Sequence, residues 1–159
     1  MAWDNEHVPV VRVQAQDNFS DDLTSMAKLL KDSGNEDLAK LVLQDKARLK
    51  KNIPKAINKI ANDEVDGAQK LIKERQYHSK SGYVGHGNLW KSVAKHPSRD
   101  GMKSDIYANA ESIDGYEYIQ AFEYGLKNKN YPAHHVMHDS GMALDVDKYS
   151  DEIIRKSIK

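Results

Sequence analysis

Cysteine is absent from the 159 residues, which excludes disulfide bridges, thiolate zinc sites and cysteine nucleophiles. A net charge is also absent, because 24 Lys and Arg residues balance 24 Asp and Glu residues. A neutral chain has no overall field to attract it to nucleic acid or to an anionic membrane, so a generic DNA-binding protein is disfavoured. Long apolar runs are missing too, since no stretch approaches the roughly 20 residues that a membrane span needs.

The first residues, Met1 to Glu6, include Asp4 and Glu6 and lack the basic start of a signal peptide. We therefore expect a protein that is neither exported nor anchored in a membrane. A chain of this length suits one domain, residues 1–159, which buries most of its apolar surface without metals or disulfides.

Helical periodicity dominates the first half of the chain. The pattern predicts a helix at about 21–33, closed by Gly34 in a left-handed conformation, and a second helix from Asn35 or Glu36. Asn52 and Pro54 interrupt the second helix, as a break or as a kink. A third, long helix is predicted from Pro54 to about Tyr77, because apolar residues recur every three or four positions at Ile57, Ala61, Val65, Ala68 and Ile72.

Strand patterns appear at the start and in the second half. The β-branched residues of 8–13 predict a strand that Pro9 confines to an edge or a strand start. Residues 89–95 and 102–109 predict a hairpin around a turn with Pro97 and Asp100-Gly101. Residues 116–122 fit either a strand or a short helix, and a last helix is predicted from about Asp147.

Three histidines offer the clearest pattern for an enzyme. On a helix, His134 and His138 would share one face at i, i+4 spacing, which can bind a metal ion. A metal-dependent hydrolase or nuclease could then add Glu123 or Asp139. The zinc-protease form requires Glu directly after the first His, where this chain has His135, and the pattern therefore favours surface histidines.

Two further patterns resemble catalytic or nucleotide-binding motifs without their context. The glycines of 82–87 follow a helix and precede a strand, unlike those of nucleotide loops, and so predict a flexible or oligomer-facing loop. Ser92 lacks a nucleophile elbow and is predicted on the polar face of a strand.

Glu123 could cap backbone amides or pair with a basic residue of a neighbouring subunit.

Two short segments together resemble a known family. The first runs from Ser81-Gly82 through Gly87-Asn88-Leu89 to Ser92-Val93. The second runs from Tyr118 to Leu126 and contains Glu123-Tyr124-Gly125. The pattern is similar to that of the head-to-tail joining and tail-completion proteins of long-tailed bacteriophages. Leu126-Lys127 replaces the usual Thr, and the segment from Pro132 to His138 departs from the family pattern.

The resemblance implies an α+β fold, in which one long helix packs on a small, mainly antiparallel sheet, with short N-terminal helices and a C-terminal helix. It also implies a non-enzymatic virion subunit without cofactors, assembled in the bacterial cytoplasm as a homo-oligomeric ring. Its partners would be the head connector or portal-side proteins and the tail terminator or tail tube, without specific nucleic-acid recognition or membrane binding. The implied assembly residues are Gly87, Asn88, Leu89, Ser92, Glu123, Tyr124 and Gly125. A helical interaction protein of a prophage, without a sheet, is the other non-enzymatic alternative.

Overall fold

The computed structural model describes residues 8–76, 88–110, 118–126 and 132–158. Within these ranges the fold is α+β, as predicted: a three-stranded antiparallel sheet with one long helix and shorter ones. None of the described helices combines the length and hydropathy needed to cross a membrane. The elements are β1 Val11–Gln14, α1 Phe19–Asp32, α2 Glu36–Gln76, α3 Asn88–Ser92, β2 Val93–Pro97, β3 Lys103–Ala108, α4 Tyr118–Tyr124, α5 Val136–Met142 and α6 Val146–Ser157.

The sheet has the strand order β1–β3–β2, which confirms the predicted hairpin and the edge position of the first strand. Alternation along β3 buries Ser104, Ile106 and Ala108 and turns the other side chains to the opposite face. The hairpin turn closes where the Ser98 amide donates to the Lys103 carbonyl at 2.8 Å, and Gly101 adopts a φ of +73°.

The two helices predicted on either side of Pro54 form one helix of 41 residues, α2. Proline has no N–H and leaves a carbonyl of the preceding turn without its helical donor, which is why the sequence predicts an interruption. Tertiary contacts hold the two turns of α2 that precede this point. The Arg48 Nε donates to the Ser157 carbonyl at 2.8 Å, and the Asn52 amide nitrogen donates to the Ser157 hydroxyl at 3.0 Å.

The buried face of α2 packs against the sheet. Ala61, Ala68 and Ile72 are fully buried and share the core with Val93 and Ile106. Val65, which the stripe also includes, is only partly buried. The fully buried residue of that turn is Glu64.

The prediction of a strand over 89–95 is wrong for its first half, because Leu89 to Ser92 belong to the helix α3. Strand β2 begins at Val93, which pairs with Ala108, the last residue of β3. Residues before Val93 therefore have no partner in β3. Ser92 is not on a strand face either: its hydroxyl donates to the Leu89 carbonyl at 2.7 Å.

The remaining boundaries are near the predicted ones. Residues 118–124 are helical, which decides between the two structures left open for that segment. Gly34 follows α1 with a φ of +86°, as expected. The C-terminal helix begins at Val146, and the Asp145 side chain caps it by accepting from the Lys148 amide at 3.2 Å.

Candidate functional site

Glu123, from the second motif segment, lies at the junction of α4 and α5. Its side chain is buried, and its two oxygens accept from the amides of Met137 at 2.8 Å and His138 at 2.9 Å. Both amides belong to the first turn of α5, where helical N–H groups lack intrahelical partners and a negative charge is favoured. Glu123 therefore caps backbone amides, which is one of the two roles expected for it.

The backbone reinforces this junction on both sides of Glu123. The His134 amide donates to the Phe122 carbonyl at 2.8 Å, and the His135 amide donates to the Glu123 carbonyl at 3.2 Å. Gly125 ends α4 with a φ of +75°, a conformation that glycine adopts without a steric penalty. The segment before α5 therefore runs directly beside the end of α4.

The histidines are held in separate environments. His134 precedes α5, so it does not share a helix face with His138, contrary to the expectation for a metal site. Its ring stacks on that of Phe122 at 4.2 Å between centroids, and burial lowers its pKa although a hydrogen bond to the Phe122 carbonyl opposes the shift. Among the residues that the structure describes, no group of three or more His, Asp or Glu residues is placed to hold a metal ion.

The exposed side of α5 carries an ion-pair network. Arg75, from the end of α2, contacts Asp139 at 2.7 Å and also donates to the His134 carbonyl. The His138 Nδ1 lies 3.1 Å from Asp139. His135 caps α5 in a left-handed conformation with a φ of 49°, uncommon for a residue other than glycine. The two contacts of Arg75 tie the start of α5 to the long helix.

A second buried carboxylate lies beneath α5. Glu64 is fully buried on α2 and accepts from the Ser140 hydroxyl at 2.5 Å, while its Oε2 has no hydrogen-bond partner among the described groups. Burial raises the pKa of Glu64 to about 7. The hydrogen bond from Ser140 opposes this shift, and the nearby charge of Glu123 adds to it.

Sequence reasoning missed Glu64, although its spacing indicated it. Glu64 is three residues after Ala61 and four before Ala68, and thus lies on the same helix face as the buried stripe. One turn later, α5 passes beside Gly67 of α2. A Cβ built on Gly67 would lie 3.8 Å from the Ser140 Cβ.

The other motif residues are distributed differently. Gly87 lies outside the described residues, and Asn88 is the first residue of α3. Leu89 is buried and shares the core cluster with Phe122, which links the two motif segments through apolar packing. Tyr124 is 54% exposed directly after the buried Glu123. The polar site itself is built by Glu123, α5 and Glu64, without the first motif segment.

Comparison of the chain with protein-family models, with curated protein sequences and with solved structures gave no match.

Proposed function

We propose that this protein is a non-enzymatic structural subunit of a bacteriophage or prophage particle, located at the head-to-tail junction as part of a homo-oligomeric ring. The observation that carries this proposal is the position of Glu123. The carboxylate of the Glu-Tyr-Gly segment uses both oxygens to hold α5 in place. A carboxylate bound in this way fixes the geometry of an element and serves as an architectural group.

The arrangement of the histidines favours the structural role over the hydrolase alternative. His134 is stacked on Phe122 with its amide bound to a carbonyl, and His138 faces Asp139 at the surface. The contacts of His134 position the start of α5 relative to α4, and the contact of His138 lies within α5. We therefore assign the cluster to the support of the junction.

The exposed part of the motif is the expected contact region. Tyr124 presents an exposed aromatic ring directly after the buried, hydrogen-bonded Glu123, and aromatic residues are common anchors of protein interfaces. A ring at a symmetric vertex requires each copy to present one surface to its neighbour and a different surface behind it. On the two faces of such a ring we place the head connector or portal-side proteins and the tail terminator or tail tube.

Deletion of the gene from the phage or prophage that encodes it tests the proposal. Electron microscopy of the particles should show filled heads and separate tails with few joined particles, and the wild-type gene supplied in trans should restore joining. Complementation by Tyr124→Ser should be weaker than by the matched control Met142→Ser, which also removes an exposed apolar side chain. Normal joining without the gene would overturn the proposal. A hydrolase activity of the purified protein that disappears in His134→Ala would replace it with the enzyme alternative.

A further inference from the structure

One face of α2 is covered at one end and exposed at the other. Helix α6 covers it from Arg48 to Asp63, through hydrogen bonds of Arg48 and Asn52 to Ser157 and a hydrogen bond between Asp63 and Tyr149. The same stripe continues toward the N-terminus of α2 in steps of three and four residues, through Asp45, Leu41 and Leu38. Beyond the end of α6, however, Leu38 and Leu41 are at least half exposed.

Helix α1 adds two more exposed apolar side chains to this surface. The Lys46 Nζ contacts the Thr24 hydroxyl at 2.6 Å, which shows that α1 and α2 pack as an antiparallel hairpin around Gly34. In this hairpin each helix buries an alanine, Ala27 in α1 and Ala39 in the first turns of α2. Met26 and Leu38 each precede a buried alanine by one position. In an antiparallel helix pair, residues one position before the facing residue of each helix point to the same side of the pair. Met26 and Leu38 therefore lie on one side of the α1–α2 hairpin.

We call this surface the apolar strip, formed by Met26, Leu29, Leu38 and Leu41, each half or more exposed. The charged residues three or four positions from the strip residues on the same helix are acidic: Asp22, Asp32, Asp37 and Asp45. Asp45 is paired with Arg48, so the acidic rim consists of Asp22, Asp32 and Asp37. An apolar surface with an acidic rim fits an apolar partner that carries basic residues.

The C-terminal end of α6 has that chemistry. Ile154 and Ile158 are about half exposed, and Arg155 and Lys156 lie in the last turn of the helix. In its own chain this end stops against Arg48 and Asn52, below the apolar strip.

We propose that the apolar strip of one copy binds the C-terminal end of α6 of a second copy. This inference rests on the homo-oligomer proposed above and names the surfaces that form it. The contact joins two unlike surfaces, one acidic at its rim and one basic. A head-to-tail contact of this kind leaves a free strip at one end of a chain of copies and a free α6 end at the other. It closes into a ring where the rotation between successive copies closes, and extends into a filament where it does not.

Sedimentation velocity of the purified protein over a range of concentrations measures the association. Leu38→Glu combined with Leu41→Glu should raise the dissociation constant about tenfold or more, since two charges replace apolar contacts. The matched control is Leu43→Glu with Ala47→Glu, which adds the same charge to another face of α2 and should leave association unchanged. Circular dichroism establishes that each variant retains the wild-type helix content.

Mixing two variants tests the head-to-tail arrangement directly. Copies with Leu38→Glu and Leu41→Glu keep an intact α6 end, while copies with Ile154→Glu and Ile158→Glu keep an intact strip. Each variant alone should be monomeric, and an equimolar mixture should form one-to-one dimers and nothing larger. A wild-type protein that is monomeric at every concentration, or a mixture that stays monomeric, would overturn the inference. Particle joining after gene deletion is a separate result, so failure of the contact and failure of the proposed function are distinguishable.

Discussion

The carboxylate of Glu123 lies beneath the first turn of α5 and accepts hydrogen bonds from two backbone amides, at 2.8 and 2.9 Å. A buried carboxylate is costly unless its oxygens are hydrogen-bonded, and here both oxygens are. The amides it binds are 14 and 15 residues further along the chain. This one side chain of α4 thereby fixes the position of α5, the next helix along the chain.

Glu123→Gln tests this role with little change in volume. The amide retains one accepting oxygen but places an NH₂ group against the second backbone N–H, so we expect the free energy of unfolding to fall by about 2 kcal/mol or more. Urea unfolding followed by circular dichroism measures the change. Glu74→Gln, at a side chain that is 54% exposed on α2, is the control and should shift it by less than about 0.5 kcal/mol. Equal effects of the two substitutions would contradict the capping role.

Glu64 gives stability a dependence on pH. Its pKa is about 7 in the folded protein, against 4.5 as the ordinary value. Between these two values the folded protein holds a proton that the unfolded chain has lost. The wild-type free energy of unfolding should therefore fall as pH rises through this window, by on the order of 2–3 kcal/mol from this group.

Glu64→Gln removes the titrating group and keeps the size of the side chain. Relative to wild type, the variant should gain stability as pH rises from about 5 to about 8, with the gain levelling above the folded pKa. Urea unfolding of both proteins at a series of pH values measures the difference. A difference that stays constant across the series would mean that burial does not perturb Glu64.

Among the elements, the β2–β3 turn and α2 meet at one close contact. Gly101 has a φ of +73°, and a Cβ built on it would lie 2.8 Å from the Cβ of Pro54. Gly34 has a similar φ of +86°, but a Cβ built on it would have no heavy atom within 4 Å. The two glycines thus share a backbone conformation and differ in what surrounds them.

Substituting alanine at each glycine separates the two effects. Gly34→Ala should cost about 1 kcal/mol, from the left-handed conformation alone. Gly101→Ala should cost about 3 kcal/mol, because the clash with Pro54 adds to the same penalty. Chemical denaturation of both variants provides the comparison. Similar losses in stability would show that the turn moves away from Pro54 without cost.

Sequence periodicity predicts the elements well where one face of a helix repeats over several turns. The stripe of α2 and the closing glycine of α1 are such cases. It fails where a distant contact decides the outcome. Pro54 stays inside a helix because the C-terminal helix and the hairpin turn pack around it, and Leu89 is helical because β3 ends at Ala108. Both contacts join residues far apart in the chain.

At the scale of the whole molecule, α2 is the support for nearly every other element. The sheet packs on its buried face, α6 lies along another face, and α5 rests on Glu64 and Gly67. The motif predicts Glu123 and Gly125 as special positions. It does not predict that Glu64 lies beneath the same helix, because that depends on a hydrogen bond to Ser140, 76 residues away.

Gly125 connects this architecture to the proposed assembly. Its positive φ turns the chain out of α4, directly after the exposed Tyr124. Asn tolerates the left-handed conformation better than Ala, and a β-branched residue tolerates it least. Gly125→Asn, Gly125→Ala and Gly125→Val therefore form a graded series at one position.

In the phage or prophage proposed to carry the gene, the fraction of joined particles counted by electron microscopy should fall in the order Asn, Ala, Val. The strain at one residue is about 1–3 kcal/mol, a loss that a folded domain of ordinary stability tolerates, so all three variants should stay soluble and helical. Assembly should then fail before folding does, because the turn at Gly125 positions Tyr124, the proposed contact residue of the motif. If joining falls only in step with the amount of folded protein, Gly125 serves stability alone and has no part in the geometry of the ring.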